Sequence, residues 1–457
     1  MLPGTGCSGE LPLHQGTTGR LPRLPPGMLL WALLLAGATG VSAQENPVTG
    51  KLDPEERTPE RLARLPYRTS PIQYFAASDN AVARLQREWH SPGDDAPRPG
   101  DLSALLKALE ISESSQLLVF ARNARQGHQI SPDNPRAIYF NDQVSVAWTP
   151  GANNYEISAI DPLRGPVFYL ASVAEVLRNA TGTNATERRQ RAPLFQRTES
   201  CLACHVAETT RQVPGYLLRS MFTTPEGKPE SGLPLVDHTT PYDQRWGGWY
   251  VSGEQLPPRH RGNLTTTAAR QRFETVTTAV QLTAEQLPRA TVRHLQGTSD
   301  VVALMVHDHQ TRFQTLLTRL RYEHELGRPL ETLPDFVRTM LLWDEPPLPQ
   351  PVAGRDDYRT WFESAGPADS RPLRQLDLHT RLLRQPLSWL VSTPQFQQLP
   401  VPLRQAIHLA ALRLVTEGND APTTWSADDR RLLRVELLPQ YTGGGSAAGG
   451  TAPADQP

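Results

Sequence analysis

The spacing of apolar positions along this chain changes three times, and each change predicts a different kind of structure. Apolar residues recur at helical spacing from Ala81 to Trp89 and from Asp101 to Leu109, with Asp101 set as an N-cap, so residues 44–112 read as a helical leader. From Gln116 the pattern shortens into runs rich in β-branched and aromatic residues: Leu117 to Ala121, Ala137 to Phe140, Val144 to Trp148, Tyr155 to Ile160 and Val167 to Leu170. Asn141-Asp142 and Gly151 to Asn154 fall between them as turn signals, which predicts an antiparallel meander within a β-rich unit over 113–190. Residues 191–264 lose periodicity and are rich in Pro and Gly.

Helical spacing returns after residue 264. A run from Asp300 to Leu326, with Ser299 as its cap and Gly327 as its stop, puts Val302, Met305, His309, Phe313, Leu316, Leu317 and Leu320 on one stripe. Further helices are predicted at Leu333 to Trp343, Leu376 to Leu383, Leu403 to Glu417 and Ala427 to Leu438. The expected class is therefore α+β, with an N-terminal antiparallel β-rich unit, a loop-rich middle and a helical domain over 265–441. Residues 442–457 are mostly Gly, Ala, Pro and Thr and read as a disordered tail.

The beginning of the chain is set apart from fold reasoning. Met28 to Gly40 is apolar, Arg20 and Arg23 precede it, and Val41-Ser42-Ala43 follows the small-x-small rule of signal cleavage. Residues 1–43 are thus expected to be a signal peptide, and the mature protein to be periplasmic or otherwise exported. The apolar run is shorter than the roughly 20 residues that a bilayer requires, and no later run is apolar enough, so no membrane span is expected after cleavage. Lys+Arg number 46 against Asp+Glu 47, which gives no basic field for nucleic acid and leaves the partner unnamed by charge. Proline, at 43 residues, stands near twice its usual share of about 5% and argues for a loop-rich fold.

Cysteine use changes the picture more than charge does. Cys7 lies in the segment to be removed, so Cys201 and Cys204 are the two thiols of the mature chain, too few for a disulfide framework. They stand in Cys201-Leu202-Ala203-Cys204-His205, the spacing of c-type haem attachment. Two cysteines on one helical turn reach the vinyl groups of one porphyrin, and the next residue, His205, is positioned as the proximal iron ligand. The cofactor expected is one covalent haem c. A redox-active dithiol, a structural disulfide and half of a zinc site are the rival readings. The first lacks a βαβ context and the last a second ligand pair.

For the other face of the iron the sequence offers Met221, His238, His260, Met305, His307 and His309, with His238 preferred and His260 next. Both favoured histidines sit in loop-like surroundings. Arg245 to Val251 (Arg-Trp-Gly-Gly-Trp-Tyr-Val) is the densest aromatic stretch, in which Trp246 and Trp249 are candidates to wall a haem edge and Arg245 to pair a propionate. An aromatic core strand is the equal alternative. Three Asn-x-Thr sequons, at Asn179, Asn184 and Asn263, are short enough to arise by chance.

The chain resembles a family of large exported bacterial proteins described as cytochrome c domain-containing. The likeness runs from about 100 to 440. It is carried by Ser131 to Asp142, Ser158-Ala159-Ile160-Asp161-Pro162, the haem motif, Val213-Pro214-Gly215, Leu218-Arg219-Ser220, Asp237 to Pro241, Arg245 to Val251 and Arg259 to Asn263. It extends through Val302 to Met305 and His309-Gln310-Thr311. The family often has Met after the histidine matched by His260, where this chain has Arg261. The resemblance implies haem binding and electron transfer to a redox partner protein. The expected function is a single-electron carrier, favoured over a peroxidase-like haem enzyme or small-ligand sensor with an open distal site, and over a redox or docking subunit of a larger exported complex.

Overall fold

Two side-chain caps set the first helices. Asn80 accepts from the Ala83 N–H at 2.9 Å and Asp101 from the Ala104 N–H at 2.7 Å, opening α1 (Ala81–Trp89) and α2 (Leu102–Ala108) where the sequence predicts them. A computed structural model of the chain describes residues 69, 71–90, 100–179, 193–276 and 287–442. The signal segment and the tail beyond Thr442 lie outside these residues, as does the sequon at Asn184. All described residues belong to one compact unit.

The alternating segment forms the expected antiparallel meander: β1 (Leu117–Val119), β2 (Arg136–Phe140), β3 (Val144–Trp148), β4 (Asn154–Asp161) and β5 (Gly165–Ser172). A sixth strand, β6 (Phe195–Arg197), extends the sheet from within the loop-rich segment. Register assigns the faces, because residues paired across antiparallel strands point the same way. Tyr139, Val146, Ile157 and Tyr169 share one face, which α1 and α2 cover with Val82, Leu85, Trp89, Leu105 and Leu106.

The opposite face carries the row Phe140, Ser145, Ser158 and Phe168, followed by the row Ile138, Ala147, Glu156 and Leu170. Against it lies the central helix, here α4 (Val301–Glu325), after the short haem-motif turn α3 (Leu202–His205). Gly165, at φ +73°, lets the β4–β5 turn approach this helix. A Cβ there would stand 2.4 Å from Thr318 Oγ1.

Three expectations about the helical half change. The cap of α4 is Asp300, which accepts from Val302 and Ala303. Ser299 instead receives the Leu118 N–H and donates to Tyr250 O, tying the helix start to β1. The single stripe gives way to burial on nearly every side, because α4 lies between the sheet and the later helices, Leu333–Met340, Asp356–Ser364 and Val401–Glu417. Leu376 to Leu383 is a hairpin-like turn and no helix. The Asp377 carboxylate accepts from the His379 and Thr380 N–H groups, and Leu376 pairs with Leu383. The last predicted helix breaks at Leu433–Leu437 into a wider turn before Leu438–Tyr441. The chain is α+β with a helical C-terminal half. Among the described residues no helix is long and apolar enough to cross a membrane.

Candidate functional site

The haem motif is built as one helical turn pinned at both ends. Leu202 and Val206, 1% and 3% exposed, anchor it in the sheet core. The His205 N–H reaches Cys201 O at 3.0 Å, and Cys201 and Cys204 are free, half-buried thiols on the same turn. A loop then returns to His205 twice. The Gly215 N–H donates to His205 O at 3.0 Å, and His205 Nδ1 lies 2.8 Å from Gly215 O.

A carbonyl oxygen accepts only, so Nδ1 carries the proton and Nε2 holds a lone pair with no hydrogen-bond partner among the described residues. This is how metal-binding imidazoles are commonly oriented, with the outer nitrogen fixed by a backbone carbonyl. Gly215 serves because no side chain fits there. A Cβ would be 2.7 Å from Thr315 Cγ2, while the next N–H, of Tyr216, is held by Thr315 Oγ1 at 3.0 Å. The His205 ring rests on Phe168, centroids 4.6 Å apart. Desolvation by the surrounding protein lowers its pKa to about 4, which keeps the imidazole neutral.

The thiols bear on the rival readings. Burial first, then the Glu156 carboxylate, pushes Cys201 up to about 11, opposite to the depressed value that a dithiol oxidoreductase needs. Among the described residues no three His, Cys, Asp or Glu side chains group as a metal site, so a zinc reading lacks its remaining ligands. The donor set present, two adjacent free thiols and a neutral imidazole with a free Nε2, fits a c-type haem. No family model, curated protein or solved structure matches the chain. The assignment therefore stands on these residues.

The favoured distal residues occupy a different place. His238 is 1% exposed, packs edge-on against His309 at 4.7 Å, and has no partner on either ring nitrogen. Its ring meets His309, whereas the ring of His205 rests on Phe168. His260 accepts from the Gly262 N–H through Nδ1 at 3.1 Å and lies against Trp246. His309 bonds Ser388 through Nε2 at 2.8 Å, and His307 packs on Phe140 at 4.6 Å. Met305 is 1% exposed within the helical core, and the buried Met221 takes the Gly247 carbonyl on its N–H.

Arg245 is not free to hold a propionate. Its guanidinium is 1% exposed, donates to Thr240 O and His238 O at 2.6 Å each, and pairs with Asp308 at 3.4 Å. Trp246 Nε1 donates to the same Asp308 at 3.0 Å and Trp249 Nε1 to Arg219 O at 2.9 Å. Both indoles are buried, and both belong to the helical core. The paired glycines have a packing reason. A Cβ on Gly247 would stand 2.8 Å from Met221 N, and Gly248, at φ +83°, lies under Ala121. The sequon at Asn263 is likewise internal: its side chain brackets Val251, accepting from the N–H and donating to the carbonyl.

The residues that surround the motif, Phe168, Gly215, Arg136, Glu156 and Arg219, are absent from the motif reading. Gly215 had a signal in Val213-Pro214-Gly215. Arg219 had one in Leu218-Arg219-Ser220, whereas Phe168, Arg136 and Glu156 become neighbours only through strand register.

Proposed function

We propose that the chain is an exported c-type cytochrome that binds one haem covalently through Cys201 and Cys204, with His205 as axial ligand, and transfers single electrons. The observation that carries this reading is the Nδ1–H bond of His205 to Gly215 O, which leaves Nε2 free on the same turn as two free thiols. The haem supplies the one-electron couple when bound. The chain's own residues hold and orient it: the thiols fix its edge, Gly215 aims the imidazole, and Phe168 supports the ring. Export is supported by the apolar Met28 to Gly40 segment and by haem attachment being an extracytoplasmic reaction in bacteria. The resemblance to exported cytochrome c domain-containing proteins adds the electron-transfer class.

One observation favours a second reading. His238 and His260, the preferred distal ligands, are engaged with His309 and Trp246 instead of facing His205, which suits a haem open to small molecules. The test is an absorption spectrum of protein exported with the haem-maturation machinery, oxidised and reduced, with and without carbon monoxide. The proposal expects a c-type pyridine haemochrome at one haem per chain and a reduced form that ignores carbon monoxide. Prompt carbon monoxide binding moves the reading to a haem enzyme or sensor. Absence of a haemochrome sinks both.

A further inference from the structure

The loop that returns to His205 is held from outside by the central helix. Residues 206–216 leave the haem-motif turn, fold back through a short helical turn at Glu208–Thr210, and bring the Gly215 carbonyl to His205 Nδ1 at 2.8 Å. The loop fixes part of its own shape. The Gln212 N–H donates to Ala207 O at 2.8 Å and Thr210 Oγ1 to His205 O at 3.2 Å. It also keeps a conformation that side chains resist, because Arg211 and Gln212 stand in succession at φ +54° and +60°. Non-glycine residues persist there only when their surroundings over-determine them.

Those surroundings are α4 and the helix after it. Arg319 of α4 donates to Arg211 O at 3.1 Å, and Arg211 pairs with Asp335 of Leu333–Met340. Thr315 lies one turn before Arg319 and so on the same side of α4. It is 6% exposed, and its Oγ1 accepts from the Tyr216 N–H at 3.0 Å. Its Cγ2 stands 2.7 Å from where a Gly215 Cβ would be.

The Tyr216 N–H and the Gly215 carbonyl belong to one peptide plane, so they cannot turn independently. Thr315 holds one end of that plane and His205 Nδ1 meets the other. An amide that donates at its N–H is also polarised into a better acceptor at its oxygen. Resting on the haem reading above, we infer that Thr315 is a positioning residue for the iron ligand: through the Gly215–Tyr216 peptide it keeps the carbonyl on His205 Nδ1 and strengthens that bond, so that α4 sets the reduction potential. Second-shell bonds of this kind raise the basicity of a ligating imidazole and favour the ferric form.

The test compares Thr315→Val and Thr315→Ser with the wild type, all exported as holoprotein. Covalent haem stoichiometry, reduction potential and exchange of the His205 Nδ1 proton, by NMR on histidine-labelled protein, are measured for each. Valine keeps the shape and charge of threonine but sets a methyl where Oγ1 accepts, so the Tyr216 N–H loses its partner. Thr315→Val is therefore expected to keep one covalent haem per chain, to raise the potential and to speed exchange of the Nδ1 proton. Thr315→Ser keeps the hydroxyl and is expected near the wild type. If Thr315→Val does not accumulate as holoprotein, Thr315→Ala, which removes the hydroxyl without a methyl against Tyr216, is read in its place with the same expected direction. An unmoved or lowered potential in the variant without the hydroxyl, or an equal shift in Thr315→Ser, overturns this inference and leaves the haem reading standing. A wild type without covalent haem removes the reading and the inference together.

Discussion

Two histidine-bearing regions differ in how their charged groups are paired within the protein, although buried polar atoms without a partner occur in both, His238 Nδ1 and Nε2 among them. Around His205, among the described residues, the thiols are free, Nε2 is unengaged and the Arg136–Glu156 pair is incomplete. Around His238 the charges are closed on themselves: Arg245 pairs with Asp308 and two carbonyls, and Arg312 pairs with Asp237 at 2.6 Å. The first arrangement leaves room for a partner from outside the chain. The second is a buried brace that joins the Arg245 to Val251 segment to the central helix.

The sharpest way to break this contrast is to cut the brace. Arg245→Ala leaves Asp308 buried without its cation, and unfolding in denaturant should show a loss of about 3–5 kcal/mol. A change within about 1 kcal/mol would mean that Arg245 is not structural and would return it to the haem.

Acid is the next test. Desolvation lowers His260 to about 4 and His307 and His309 to about 3, against about 6.5 unfolded. The unfolded chain therefore binds the extra protons, and these groups cost stability as pH falls through 6.5 toward 3. Asp308 and Glu345, each raised to about 7 mainly by burial, act oppositely. They hold protons in the folded state and offset the loss between about pH 7 and 4. Below about pH 4.5 that offset ends, since unfolded carboxyls are protonated too, and stability should drop steeply. His260→Gln keeps an acceptor for the Gly262 N–H and should flatten the acid limb by close to one proton. An unchanged slope in denaturant titrations across this range would show that His260 is not buried neutral.

The glycines of the aromatic segment give a smaller effect. Gly247→Ala forces a Cβ against Met221 backbone and should cost about 1–3 kcal/mol in thermal or denaturant unfolding. Full wild-type stability would disprove the close approach. Arg136→Gln is expected to cost about as much, about 1–3 kcal/mol, because it removes the cation from a mostly buried carboxylate while the Gln amide can still donate to it. A loss as large as that of Arg245→Ala would make both regions structural and erase the comparison.

Much of the fold is legible in the sequence, and the reasons are physical. The β2 to β5 meander is marked by alternation and by turns at Asn141 and Gly151, and Asn80 and Asp101 announce their helices by side-chain capping. Strand β6 is three residues long and polar at Gln196 and Arg197, too short to show a period. The cap of α4 moved from Ser299 to Asp300 because Ser299 is held by β1, a contact between residues far apart in the chain. The motif itself can be read from five residues, whereas its surroundings cannot, because Arg136, Glu156 and Phe168 reach His205 only through the register of β2, β4 and β5. Arg245, Trp246, His238 and His260 drew attention as polar and aromatic residues in loops, and their burial follows from α4 passing beneath them.

The most direct test of the central claim is the intact mass, under denaturing conditions, of the protein exported with haem-maturation machinery, beside that of the Cys201→Ser, Cys204→Ser double variant. The account predicts the mature chain plus one haem for the wild type and the bare chain for the variant. A bare wild-type chain, or a variant that retains the haem mass, would contradict it.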